Sequence, residues 1–216
     1  SIASASGLFG IDEGAVPDVE GLKMLGVAYC LSDRKQTSVL MMCLQEKIQV
    51  ALDSSMTALF SSESFWLIRG ILLGVEGVCG VSTNVLLNGM EDVVEIFNSE
   101  FLWHLTKYVV DNLFSLLVSY PANIPRNNLP KNLEEVDAYC QLVGHVFMMM
   151  LLQKQSGNVD ATMEMSIYEK VAQLIAHCDE NTVKLSSVPD LDGVGVVSKM
   201  MNMRVLSGLF RSIYES

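Results

Sequence analysis

The chain lacks most of what a catalytic protein shows in its sequence. Its 216 residues hold no GxSxG, no HExxH, no GxxxxGK[ST] and no GxGxxG after a strand. Nucleophile-elbow hydrolysis, zinc-protease chemistry and the common phosphate-cradling loops therefore have no carrier in it. Charge is scarce at 18% of residues, and positive charge scarcer: 14 Lys and Arg stand against 25 Asp and Glu, a formal net charge of −11. Such a field repels phosphate backbones and anionic lipid, and Arg34-Lys35 is the only adjacent basic pair. No nucleic-acid partner is expected on this ground.

Cysteine and histidine are too few and too dispersed for a metal site. The cysteines (Cys30, Cys43, Cys79, Cys140 and Cys178) are odd in number, and no two form a CxxC pair. Most lie inside apolar helical stretches, the habit of reduced thiols in a core, which suits an intracellular setting, cytoplasmic or nuclear. His104, His145 and His177 are far apart, so neither a metal nor a cofactor is expected. The run His177-Cys178-Asp179 looks reactive, yet consecutive helical residues point in different directions and cannot converge on one reacting atom. Long apolar runs are missing too. Residues 65–79 are broken by Arg69 and Glu76, while 142–152 is short, carries His145, and is flanked by Asp137 and Lys154. A membrane span needs about 20 apolar residues, so both are core helices. The opening SIASASGLFG has no basic segment before its short apolar run, unlike a secretory signal.

What the chain has is apolar helix: half its residues are hydrophobic, and no window alternates as a strand would. The expectation is an all-α globular bundle of seven or eight helices, mostly antiparallel, around a buried helix at about 132–155. In the first half of that helix Leu133, Val136, Cys140, Val143 and Phe147 make one apolar side. From Leu142 to Leu152 only Gly144 and His145 interrupt the apolar residues. A helix apolar all round has to be surrounded by other elements.

The rest is arranged about it. Residues 1–17 read as a flexible lead-in, and 18–216 as one domain. Helices are expected at about 18–31, 37–60 and 61–80, the last carrying Gly70, Gly74 and Gly77 where a neighbouring backbone can approach closely. Two short helices follow before a long one opened by Ser99-Glu100, striped by Leu102, Leu105, Val109, Leu113, Leu116, Leu117 and Tyr120. Pro121, Pro125 and Pro130 should end it and mark the one plausible subdomain break, at 121–131. A further helix, from Asp160 or Thr162 to His177-Cys178-Asp179, should turn Met165, Tyr168, Val171, Leu174 and Ile175 inward. A polar loop then leads to a last helix with Val194, Val197, Met201, Leu206, Leu209, Phe210 and Ile213 against the core.

The AYCQLVGHVFMMM segment, followed by YEKVAQLIAH, resembles the paired helices of squalene and phytoene synthases. That resemblance would imply an all-α fold and magnesium-held diphosphate, but the Asp-rich pairs that hold the magnesium have no counterpart in this chain. LFSLL at 113–117 matches the LxxLL docking motif, although those leucines already belong to a core stripe.

Methionine supplies the candidate site. Met148 to Met150 fall in the buried helix, whereas Met200, Met201 and Met203 alternate with Lys199, Asn202 and Arg204. Met200, Met201, Met203, Arg204 and Lys199 are the interaction candidates, since methionine suits an adaptable apolar surface. The function expected is a non-catalytic protein–protein interaction or regulatory domain, alone or within a larger chain or assembly, with a protein partner. The alternative is an all-α enzyme or lipophilic-ligand-binding protein with its pocket beside His145. No residue pattern specifies an oligomeric state.

Overall fold

The computed structural model describes residues 68–70, 72, 73, 76, 97–123, 129–157 and 160–215. The chain divides into two compact units, Ser1–Ile96 and Phe97–Ser216. Every regular element among the described residues is helical and none is a strand. In the first unit the described residues from 68 to 76 are helical, with Ile68, Leu72 and Leu73 buried, in keeping with the helix expected there. The lead-in at 1–17, the helices expected at 18–31 and 37–60, and the two short ones before 97 lie outside the described residues. The expected total of seven or eight helices therefore extends beyond them as well.

The second unit holds four helices: α1 (Ser99–Asn123), α2 (Leu129–Ser156), α3 (Ala161–Ser186) and α4 (Gly193–Glu215). Asn98 opens α1 by accepting the Phe101 N–H at 2.9 Å, satisfying one of the orphan donors of a first turn. The buried side of α1 runs through Phe101, Leu102, Leu105, Val109, Leu113 and Leu117 at helical spacing. Pro121 does not stop this helix, which continues to Asn123. So near a C-terminus the carbonyls are already losing their partners, and the missing proline N–H removes a single bond. Pro130 falls in the first turn of α2, where an N–H would have no helical acceptor anyway. Residues 121–131 thus join two helices that pack on each other within the second unit.

α2 is the enclosed helix. Leu142, Val143, Gly144, His145, Val146, Met148, Met149 and Met150 are all buried, so its second half is covered on nearly every side. Gln153 secures its end: its Nε2 donates to the Phe97 carbonyl, and its Oε1 accepts from Ser99 at 3.1 Å. This places the C-terminal end of α2 beside the start of α1, an antiparallel pairing that Tyr108 and Tyr139 repeat farther along with a ring contact at 6.4 Å.

α3 is longer than its apolar pattern suggests. Asp160 caps it, accepting from the N–H groups of Thr162 at 2.9 Å and Met163 at 3.2 Å, and the helix runs past Asp179 to Ser186. Beyond Cys178 nothing in it is deeply buried, but neither Gly nor Pro intervenes before Pro189. A Lys184–Glu180 pair one turn apart and Lys184 near the C-terminal carbonyls favour the extension. Its inner residues are Ile167, Val171, Leu174 and Cys178, whereas Met165 and Tyr168 face outward. The inner line is therefore rotated from the expected one.

The pairing of the helices differs from their order in the chain. α1 and α3 run parallel, joined in sequence by Ser99 with Asp160, by a 2.9 Å Lys170–Asp111 ion pair, and by an edge contact of Phe114 with His177. α2 and α4 also run parallel, with Asp137 bound to Arg204 and Cys140 against Val205. α4 packs on α1, α2 and α3, and α1 packs on α2 and α3. α2 meets α3 through Phe147–Tyr168 and Lys154–Glu164. Gly157 takes the turn with φ 79, a left-handed conformation that costs a side-chain-bearing residue energy.

Candidate functional site

The last helix has two apolar faces, and the outer one is the candidate site. Asp192 starts α4 by accepting the Gly195 N–H at 2.7 Å through its side chain. Gly193 and Gly195 thus belong to an ordinary capped first turn. From there Met201, Val205 and Leu209 turn inward and are buried to within 1%. Asn202 is turned in with them; its Nδ2 donates to the Ser198 carbonyl at 2.8 Å.

Two glycines set how close this inner face comes to α2. A side-chain carbon on Gly144 would stand 2.6 Å from the Ser212 carbonyl oxygen, and one on Gly208 would stand 2.9 Å from the Cys140 sulfur. Ordinary contacts are well above 3 Å, so the helices approach more closely than alanine would allow. Arg204 ties the edge of the seam, its Nε donating to Asp137 Oδ1 at 2.8 Å and its second nitrogen pairing with Oδ2.

Opposite this face lie Val196, Met200, Met203, Ser207, Phe210 and Tyr214. Their steps of four, three, four, three and four residues keep them within about 40° of one line at 100° per residue. All six are exposed: Val196 at 54%, Met200 at 39%, Met203 at 52%, Phe210 at 60% and Tyr214 at 92%, with Ser207 open between them. A single exposed apolar residue needs no explanation. Five at the spacing of a helix–helix seam form a face of about 27 Å, at 1.5 Å per residue, with no partner helix on it among the described residues.

The sequence candidates distribute themselves around this face. Met200 and Met203 lie on it, Met201 lies on the opposite side in the core, and Arg204 and half-buried Lys199 flank it. Val196, Phe210 and Tyr214 were not among the candidates. Phe210 was expected against the core together with Val194, and both are exposed. The signal for them is the 4-3-4-3-4 spacing, a second apolar line that a single core stripe in α4 leaves unassigned. The flanks are unusual for so acidic a chain, because α4 carries Lys199, Arg204 and Arg211 against a single acid, Glu215.

Among the described residues the titratable groups elsewhere do not converge. His177 bonds to Asn181 at 2.9 Å and meets the edge of Phe114, while Cys178 is buried and Asp179 exposed. Burial pushes the Cys178 thiol up to about 12, and burial together with the Asp137 charge does the same for Cys140. Thiols in that range are poor nucleophiles. Among the described residues no three His, Cys, Asp or Glu side chains come together as a metal site, and no helix is long and apolar enough to cross a membrane. His145 is buried on α2 next to Gly144, whose own side is closed by Ser212.

No protein-family model, curated protein or solved structure matches this chain.

Proposed function

We propose that this chain is a non-catalytic protein-interaction domain that works through the outer face of α4. The observation that carries the reading is the double amphipathicity of that helix. Its inner stripe accounts for its place in the bundle, and the outer stripe of Val196, Met200, Met203, Phe210 and Tyr214 is exposed, with no helix packed on it among the described residues. A folded monomer gains nothing from lining up five exposed apolar side chains, whereas burying each on association is worth roughly 1.5–3 kcal/mol before the costs of ordering. Methionine and aromatic residues are also the types enriched where protein interfaces are driest.

The position of the face favours presentation to a partner. α4 is held from behind by a glycine-spaced seam on α2 and by contacts with α1 and α3, so the stripe sits on a supported helix. Side-by-side affinity capture with the full chain and its Phe210→Glu variant tests this. Proteins retained by the first and lost by the second, at equal helical content, are the expected result. Identical retention by both would remove α4 from the interaction and overturn the reading.

A further inference from the structure

The outer stripe of α4 matches itself when one copy is turned end over end. Val196 and Tyr214, Met200 and Phe210, and Met203 and Ser207 are each symmetric about position 205. In an antiparallel pair of α4 helices the smallest apolar residue of the stripe therefore opposes the largest. Met200 opposes the phenyl ring, and Met203 fills the space left by Ser207. A parallel pair would instead stack Tyr214 on Tyr214 and Phe210 on Phe210 and leave two serines facing a gap.

We infer that the occupant of this face is a second copy of the chain, docked through an antiparallel, two-fold α4–α4 contact. The inference rests on the reading of the α4 face as an interaction surface and names the partner for it. Closed two-fold dimers are the commonest protein assembly, and they require a patch complementary to itself.

The charges agree with this arrangement. Arg204 is next to the centre of symmetry and would come near its own copy, a repulsive arrangement for bare cations. It is already bound to Asp137, so two ion pairs rather than two positive charges would meet there. Lys199 and Arg211 sit on opposite flanks of the stripe, and the two-fold keeps each flank with its own kind. Each Lys199 thus falls about 18 Å along the axis from its copy, beyond a Debye length at ordinary salt.

The area sets the strength. The five apolar side chains leave on the order of 500 Å² open at ordinary side-chain sizes. A pair would bury about twice that, near the ~1,000 Å² at which specific interfaces begin. The dimer should be weak and visible only as concentration rises.

Sedimentation equilibrium of the full chain over a wide concentration range tests it, with spin labels fixing the register. Labels go on Ser207→Cys and, separately, Tyr214→Cys, with the parent chain labelled in parallel as background; Cys140 and Cys178 are buried and should stay unlabelled. The expected result is a reversible dimer whose dissociation constant rises at least tenfold in Phe210→Glu without loss of helical content. Axial separations should be about 6 Å between labels at 207 and about 27 Å at 214, from 1.5 Å of rise per residue. Short separations at both sites would mean a parallel pair, and a dimer untouched by Phe210→Glu would mean another surface; either overturns the inference. A monomer at every concentration also overturns it. In that case proteins still lost on Phe210→Glu would leave the interaction reading standing with a different partner, and no dependence on Phe210 at all would sink both.

Discussion

Replacing Gly144 by alanine probes the seam on which the presentation of α4 depends. The added carbon would lie 2.6 Å from the Ser212 carbonyl oxygen and 2.9 Å from both the carbonyl carbon and the Cβ of Ser212. Two of these three atoms are main chain, so no rotamer change relieves the contact and α4 itself has to move. Overpacking of this kind costs about 1–3 kcal/mol. Alanine returns up to about 1 kcal/mol in helix propensity over glycine, leaving a net loss on the order of 1–2 kcal/mol. Gly193→Ala is the control, because nothing stands within 4 Å of that site and the change should be neutral or slightly stabilising. Urea unfolding followed by circular dichroism reads both variants: the midpoint should fall for Gly144→Ala and hold or rise for Gly193→Ala. If the two behave alike, the close approach of α2 and α4 neither constrains the fold nor positions the outer stripe.

Two further outcomes follow from local geometry. Asp160→Ala removes the acceptor of two N–H groups at the start of α3 and should cost about 1 kcal/mol, while Asp160→Asn should retain most of it; equal losses in the two would deny the cap. Stability should also fall at high pH. Burial raises the thiols of Cys140 and Cys178 to about 12 and pushes the Tyr139 phenol up as well, helped by Tyr108 and Glu135. A group whose folded pKa lies above its unfolded one contributes stability that is fully present below the unfolded value. That contribution is lost as pH rises through the folded value. The urea midpoint should therefore decline from about pH 8.5, the ordinary thiol range, upward. A flat or rising midpoint to pH 11 would contradict the burial of these groups, as would rapid reaction of both thiols with a disulfide reagent in the native chain.

Much of the second unit was legible where burial and periodicity agree. The α1 stripe of Leu102, Leu105, Val109, Leu113 and Leu117 follows from spacing, because a 3.6-residue period with one apolar side has few other solutions, and the enclosed half of α2 follows from its nearly unbroken apolar run, which leaves no side for water. The C-terminal third of α3 was not legible, since polar residues from Glu180 onward carry no burial signal and the helix persists on hydrogen bonds and charge placement. Pro121 misled in the other direction, as a stop signal whose cost is small in a last turn. The polar neighbours Lys199, Asn202 and Arg204 mark Met200 and Met203 in the sequence, and Met201 with them. One step of 100° separates an exposed methionine from a buried one, and composition does not register that step.

The sequence by itself determined the helical class, the enclosed character of α2 and the net negative charge, because each follows from composition or from local periodicity. That Phe210 belongs to the outer of the two apolar lines in α4, and not to the inner one, was decided by the tertiary structure. Both lines satisfy helical spacing, and the expected core set mixed them, with Met201 and Leu209 of the inner line beside Phe210 of the outer; packing separates the two, the inner one closing on α2 where Gly144 meets Ser212 and Gly208 meets Cys140. The exposed stripe is a consequence of that choice: packing fills one side of the helix and leaves Val196, Met200, Met203, Phe210 and Tyr214 facing outward.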